Sequence, residues 1–247
     1  MRHSLMAVVA AALVAACLAV PRARAEYVYL GWDDCNAAGA PTSRTFACDV
    51  NTGSDVVVVS FTVPWSGSQW SRADVKLDLM TAQDSSMPDW WAFVNAGTCR
   101  QSSLTSACDF TGMTGCAVYM QAPVSGGITS YVQGTLGESW RARLTASVTK
   151  APLSYRVLSP DSQYYAIRIV IPHDKSVGVD ACAGCSQPVC LVGTYLGLYL
   201  PPNQNPFPFE FSPNNPSVLS WQSTVPNCPA AVPVKRSTWG AVKAMYR

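Results

Sequence analysis

Alternation is the feature that most limits what this chain can become. In Val75-Lys76-Leu77-Asp78-Leu79, and again in Arg141-Ala142-Arg143-Leu144, apolar and charged residues change places at every step. A strand points successive side chains to opposite faces, so such a segment buries one face and leaves the other to charge. Tyr165, Ile167, Ile169 and Ile171 share one face in the same way, with Arg168 on the other. Strand-like stretches run from Tyr27 to Trp32, Val56 to Val63, Val75 to Met80, Trp90 to Val94, Ala117 to Gln121, Ile128 to Gln133, Trp140 to Val148, Tyr164 to Ile171 and Val189 to Leu200, with turn residues between them. No stretch between residues 26 and 234 keeps an apolar period of roughly 3.6 residues. The expectation is an all-β fold, an antiparallel β-sandwich in which two sheets bury their apolar faces against each other; jelly-roll-like and immunoglobulin-like arrangements both satisfy the pattern. Gly126 and Gly127 read as a hairpin turn, since glycine tolerates positive φ.

The first 25 residues stand apart. Arg2 precedes an uncharged stretch from Ser4 to Val20, then Pro21 and Ala23-Arg24-Ala25, the layout of a cleavable secretory signal ending before Glu26. Val14-Ala15-Ala16-Cys17 offers a second reading, a lipobox that would anchor the chain through a lipid on Cys17. The small residues at 23 and 25 lie downstream, where a lipoprotein has no use for them. No later stretch carries the 18 or so uncharged apolar residues that a membrane-crossing helix needs. Residues 26–234 are expected to form a single β-sandwich domain including a Pro/Asn-rich segment at 201–217, followed by a basic tail at 235–247.

Export changes the electrostatics. The whole chain has 17 basic against 15 acidic residues, but Arg2, Arg22 and Arg24 leave with the signal. Four more bases, Lys235, Arg236, Lys243 and Arg247, sit in the tail with no acid among them, so residues 26–234 hold ten bases against fifteen acids. An acidic body with a basic tail argues against nucleic acid as a partner, which calls for a basic face on the folded body.

Nine cysteines follow the signal: Cys35, Cys48, Cys99, Cys108, Cys116, Cys182, Cys185, Cys190 and Cys228. In an oxidising compartment they are disulfide candidates, and an odd number leaves one over. Spacing alone favours Cys35 with Cys48, and Cys99 with Cys108 or Cys116. The Cys182-Ala-Gly-Cys185 pair resembles half of a zinc site, but no second such pair accompanies it.

Chemistry has few places to sit. His173 is the only histidine after the signal, no Gly-x-Ser-x-Gly elbow accompanies it, and the end of a strand suggests a solvated loop position. Only three glutamates follow residue 25. Asp33, Asp34 and Asp89 could be nominated as glycosidase carboxylates, though none lies in a pattern specific to that chemistry. Asp49, Asn51, Gly53 and Asp55 place oxygens at every second position around a glycine, a spacing that suits calcium; an Asx-rich turn explains it as well. No other cofactor is expected. Trp65, Trp70 and Trp91 are candidates for stacking on a glycan, with burial in a core as the competing reading. Alternation within Trp90-Trp91 would leave at most one of that pair facing solvent.

Nine of the chain's eighteen prolines fall between Pro201 and Pro233, so an extended surface segment is expected there, interrupted by a last strand from Val218 to Gln222. Ser237 and Thr238 before Trp239-Gly-Ala-Val242-Lys-Ala-Met245-Tyr246 predict a short C-terminal helix.

Taken together, Trp32-Asp33-Asp34-Cys35, Phe46-Ala47-Cys48-Asp49 with Asn51, Pro88-Asp89-Trp90-Trp91, Cys99-Arg100, Cys182-Ala-Gly-Cys185 and the ending Thr238-Trp239-Gly240-Ala-Val-Lys243-Ala-Met-Tyr246-Arg247 resemble an uncharacterised family of secreted bacterial proteins with a Cys-rich β-sandwich-like pattern. The resemblance implies no activity. The ending is similar to basic-aromatic tails of other exported proteins, which implies a sorting or surface-attachment role for Trp239, Lys243 and Arg247. The functional expectation is a secreted or surface-associated, non-catalytic protein that binds or builds, with a glycan or the cell surface as the kind of partner. A secreted hydrolase or carbohydrate-binding module acting on polysaccharide is the alternative.

Overall fold

The computed structural model describes residues 27–223, apart from 36–38, 68, 83–84, 111, 114–115, 117–123, 151–155, 161, 200–205, 210 and 212–216. The expected export signal with Cys17, the strand expected at Ala117–Gln121, Cys228, and the tail with its expected helix lie outside the described residues.

The described chain is mostly β and contains no α-helix. One sheet has four antiparallel strands in the order β1 (Tyr27–Trp32), β3 (Ser54–Thr62), β10 (Gln163–Pro172) and β6 (Thr105–Ala107). The larger sheet runs β2 (Ser43–Arg44), β13 (Val218–Trp221), β11 (Val189–Tyr199), β5 (Arg72–Met80), β8 (Arg141–Lys150) and β7 (Val124–Gln133), and β12 (Pro206–Phe209) also pairs with β11. The β2–β13 pair is parallel. A small ribbon joins β4 (Gln69–Trp70) to β9 (Arg156–Val157).

Alternation places the core. Ala73, Val75, Leu77 and Leu79 of β5 and Ala142, Leu144, Ala146 and Val148 of β8 bury one face of the larger sheet. Val28, Leu30, Val57, Val59, Phe61, Ile167, Ile169 and Ile171 of the four-stranded sheet belong to the same buried cluster. Val58 faces the other way, with Cys35, Phe110 and Tyr165 in a separate, smaller cluster.

Tyr165 joins that second cluster because the β3–β10 register shifts between Tyr165 and Ile167. An extra residue in a strand turns everything before it to the opposite face, so the shared face expected of Tyr165 and Ile167 does not form. Gly126 and Gly127 are not a turn; they lie inside β7 opposite Val148 and Ser147. A Cβ on Gly126 would meet the Ser147 carbonyl and come within 2.7 Å of Val148 Cα, so glycine here serves close strand approach. The strand expected at Trp90–Val94 is a 3₁₀ turn at Asp89–Trp91, entered from Pro88 at φ −65°. Part of the proline-rich segment is sheet: Phe207 and Phe209 of β12 pack on the core, while Pro206 and Pro208, which lack an N–H, fit a short strand paired on one side.

Candidate functional site

Several of the motifs picked out in the sequence meet in one region, the braced end of the described chain. Segments 46–55, 88–103, 172–187 and the end of β13 meet there, and two disulfides join them: Cys48 to Cys185 and Cys99 to Cys182, with Cα separations of 6.0 and 5.9 Å. Cys35 pairs with Cys116 at 5.0 Å. None of these is the pairing that short spacing favours. Loop-closure cost rises only slowly with length, whereas strand pairing decides which distant residues touch. Cys190 is disulfide-bonded as well, and Cys108 is buried in the main core. The Cys182/Cys185 pair is thus divided between two bridges and is not a metal knuckle; among the described residues no group of three His, Cys, Asp or Glu could hold a metal.

Trp221, at the end of β13, is the centre of this region. It stacks on Trp90 at 5.1 Å, lies 5.6 Å from Trp91, 6.0 Å from Trp32 and 6.0 Å from Phe46, and its indole N–H donates to the Cys185 carbonyl at 2.8 Å. Rings of this size remove large apolar areas from water, so their meeting here concentrates stability at the braced end.

His173 is buried, not solvated. Its ring stacks on Phe46 with centroids 3.8 Å apart. Nδ1 lies 3.1 Å from the Thr52 carbonyl and Nε2 lies 2.8 Å from Asp55 Oδ2. Each ring nitrogen therefore lies within hydrogen-bond distance of an oxygen. Asp55 is fully buried and also receives Arg44 Nε, while Arg44 bridges to Asp33 at 3.2 Å. Burial pushes the Asp33 carboxyl above its ordinary value, against the opposing Val56 N–H and Arg44. Both ring nitrogens of His173 are thus engaged by oxygens of Thr52 and Asp55.

The calcium candidates are committed in the same way. Asn51 Oδ1 accepts the backbone N–H groups of Ser176 and Val177, and its amide nitrogen donates to the Val177 carbonyl. The Gly53 carbonyl accepts the His173 N–H, with Gly53 at φ +93°, where a side chain would be strained and its Cβ would press on the imidazole. A cation binding Asp55 would have to displace Arg44 and His173. Asp49 is exposed. The spacing that suits a cation is used here for Asx-type bonding across two loops.

Arg100 holds the neighbouring turn. Its guanidinium is fully buried, lies 3.8 Å from the Trp90 ring centroid, and donates to the carbonyls of Trp90 and Pro172 and to Asp174. Burial pulls it down to about 10, with Asp174 opposing, so it remains a cation at neutral pH.

The glycan-stacking candidates separate on burial. Trp70 and Trp91 have no exposed surface, so neither offers a ring face to a sugar, and both members of the Trp90-Trp91 pair are buried because a 3₁₀ turn, not a strand, carries them. Trp65 is half-buried and sits edge-on to Phe207 at 4.7 Å. Of the carboxylates considered for glycoside chemistry, Asp89 is exposed beside the braced end, and Asp33 accepts the Val56 N–H and Arg44.

Sequence reasoning missed a polar network on the face of β5 and β8 turned away from the core. Asp78, expected to face solvent, is fully buried under Arg143 and Arg141, at 2.6 and 2.9 Å. Two registers along, Asp74 accepts from Arg72, Ser147 and Tyr199. Burial acts to raise the Asp74 carboxyl, but these three donors hold it below its ordinary value. Arg72 is on the same strand as Asp74, but Arg143 and Ser147 reach these carboxylates from β8 and Tyr199 from β11, and pairing between strands is invisible within one of them. Among the described residues no helix is long and apolar enough to cross a membrane. No family model matches the chain, and no curated protein matches it in sequence.

Proposed function

We propose that this is an exported, surface-associated protein whose two sheets form a β-sandwich and whose role is to bind or to build rather than to catalyse. The observation that carries this reading is His173: the one imidazole after the signal spends both ring nitrogens on Thr52 and Asp55 inside a buried brace. General-base catalysis needs a nitrogen within reach of a nucleophile, and here none is left over. The disulfides accord with folding in an oxidising compartment. The basic tail, with Trp239, Lys243 and Arg247, serves in sorting or attachment to the surface. A glycan-binding role would fall to Trp65 among the tryptophans considered.

The test incubates the mature oxidised protein with cell-envelope and polysaccharide fractions, following both retention and released product. Saturable retention without product is expected. Product release that disappears in His173→Gln, with melting unchanged, would reverse the proposal in favour of a hydrolase.

A further inference from the structure

We infer that the outer face of the larger sheet, where β5 and β11 lie side by side, binds a linear polysaccharide carrying carboxylate groups. This rests on the binding role proposed above and gives it a place and a class of partner. Leu196 and Leu198 of β11 belong to the core, as do Val75 and Leu77 of β5. The residues between and beside them share the opposite face and stand in register as three pairs: Tyr195↔Lys76, Gly197↔Asp74 and Tyr199↔Arg72. The Lys76 ammonium lies 5.0 Å from the Tyr195 ring centre, and the Arg72 guanidinium lies 4.7 Å from that of Tyr199. The sheet repeats one unit, a tyrosine ring beside a cation, at positions four residues apart, about 13 Å along the strands. A ligand that engages both units at once is itself a repeating chain.

The two units are built, and the space between them is kept low. A Cβ on Gly197 would strike the Tyr195 hydroxyl and lie 2.7 Å from its Cζ, so the ring leans over the glycine toward Tyr199. Asp74, buried beneath, takes the Arg72 guanidinium through both oxygens, at 2.7 and 2.8 Å, and accepts the hydroxyls of Ser147 and Tyr199. Arg72 and Tyr199 are oriented before any ligand arrives, and a tyrosine has only two side-chain torsions to fix. Tyr195, Tyr199, Arg72 and Lys76 all keep part of their side chains in water.

Charge selects the occupant. On β5, β8 and β11 the carboxylates of this face are Asp74 and Asp78, and both are buried, whereas Arg72, Lys76 and Arg143 reach solvent. The face therefore shows cationic charge to water, on a body whose residues 26–234 hold ten bases against fifteen acids. An anionic partner is steered here and repelled from the acidic remainder. Sugar rings add flat C–H faces that stack on a phenol ring, and their carboxylates suit a guanidinium and an ammonium beside each ring. Single-stranded nucleic acid also joins flat rings to anionic charge, but an acidic body disfavours it.

Isothermal titration of the full mature, oxidised protein with polygalacturonate tests the assignment. Saturable binding is expected, and the methyl-esterified polymer, with the same rings but no charge, should bind about ten-fold more weakly. Lys76→Gln and Tyr195→Ala should each weaken polygalacturonate binding about ten-fold at an unchanged melting temperature, while Tyr195→Phe, which keeps the ring, binds as the native protein does. Lys175→Gln, which removes an exposed cation at the braced end, should change nothing. No binding of polygalacturonate, equal binding of its methyl ester, native affinity in both weakened variants, or tighter binding of single-stranded oligothymidylate overturns the proposal. Retention on cell-envelope fractions that is the same in the native protein and in Lys76→Gln/Tyr195→Ala overturns this site and leaves the binding role standing. Release of product from those fractions by both proteins overturns the role and the site together.

Discussion

Replacing Arg100 by Met isolates what the braced end contributes. The substitution keeps an unbranched side chain in the slot against Trp90 and Phe93 but removes every donor. The carbonyls of Trp90 and Pro172 are then left as buried acceptors, at a cost of about 1–3 kcal/mol each. Loss of the cation over the Trp90 ring adds about 2 kcal/mol, since the guanidinium is fully desolvated. Against this, a buried cation no longer has to be taken out of water, and Arg100 Nε has no hydrogen-bond partner to lose. The net expectation is a destabilisation of about 3–5 kcal/mol. Urea unfolding of the oxidised mature protein would show it as a lowered midpoint with an unchanged slope. Asp174→Asn is the control: Asp174 is 41% exposed, so its loss should cost less than about 1 kcal/mol. Arg100→Met within 1 kcal/mol of the native protein, or Asp174→Asn as costly as Arg100→Met, would refute the reasoning.

Other perturbations follow from the same geometry. Trp70→Ala and Trp91→Ala should each cost about 3–5 kcal/mol in thermal or urea unfolding, since both rings lie wholly inside; sugar binding lost at unchanged stability would contradict this. Asp74 is held below its ordinary value when folded, so its stabilisation is complete above about pH 4 and is lost as pH falls through the folded pKa. Asp74→Asn should therefore flatten part of the acid limb in urea midpoints measured from pH 6 to pH 2. Cys48→Ser/Cys185→Ser opens a bridge between residues 137 apart and should cost roughly 4–5 kcal/mol, while peptide mapping without reductant recovers the Cys99–Cys182 pair unchanged.

What could be read in advance was whatever one strand records by itself. Val75 to Met80 and Val189 to Leu200 carry their own alternation or apolar run, and β5 and β11 lie where those segments were expected. Relations between strands left no local trace. Nothing near Asp78 announces Arg143, nothing near Cys48 announces Cys185, and the turn of Tyr165 to the other face depends on a register shift against β3. The candidate site was legible as a set of motifs but not as one place. Asp49 to Asp55 looked like a cation loop because its spacing was right; whether Asp55 meets an ion or a buried imidazole depends on the other end of β10, more than 110 residues away. His173 looked solvated because a strand end usually is, and Phe46 is what covers it.

The bridges have a consequence for survival outside a cell. Cys35–Cys116, Cys48–Cys185 and Cys99–Cys182 interleave, so every peptide bond between residues 35 and 185 lies inside at least one covalent ring. A protease that nicks an exposed turn in that span, such as the one around Leu136, opens the chain without releasing a fragment. The cut molecule keeps both halves and all their packed surfaces. A fragment is lost only after a second cut in the same ring or after reduction of a bridge, so a single nick is survivable.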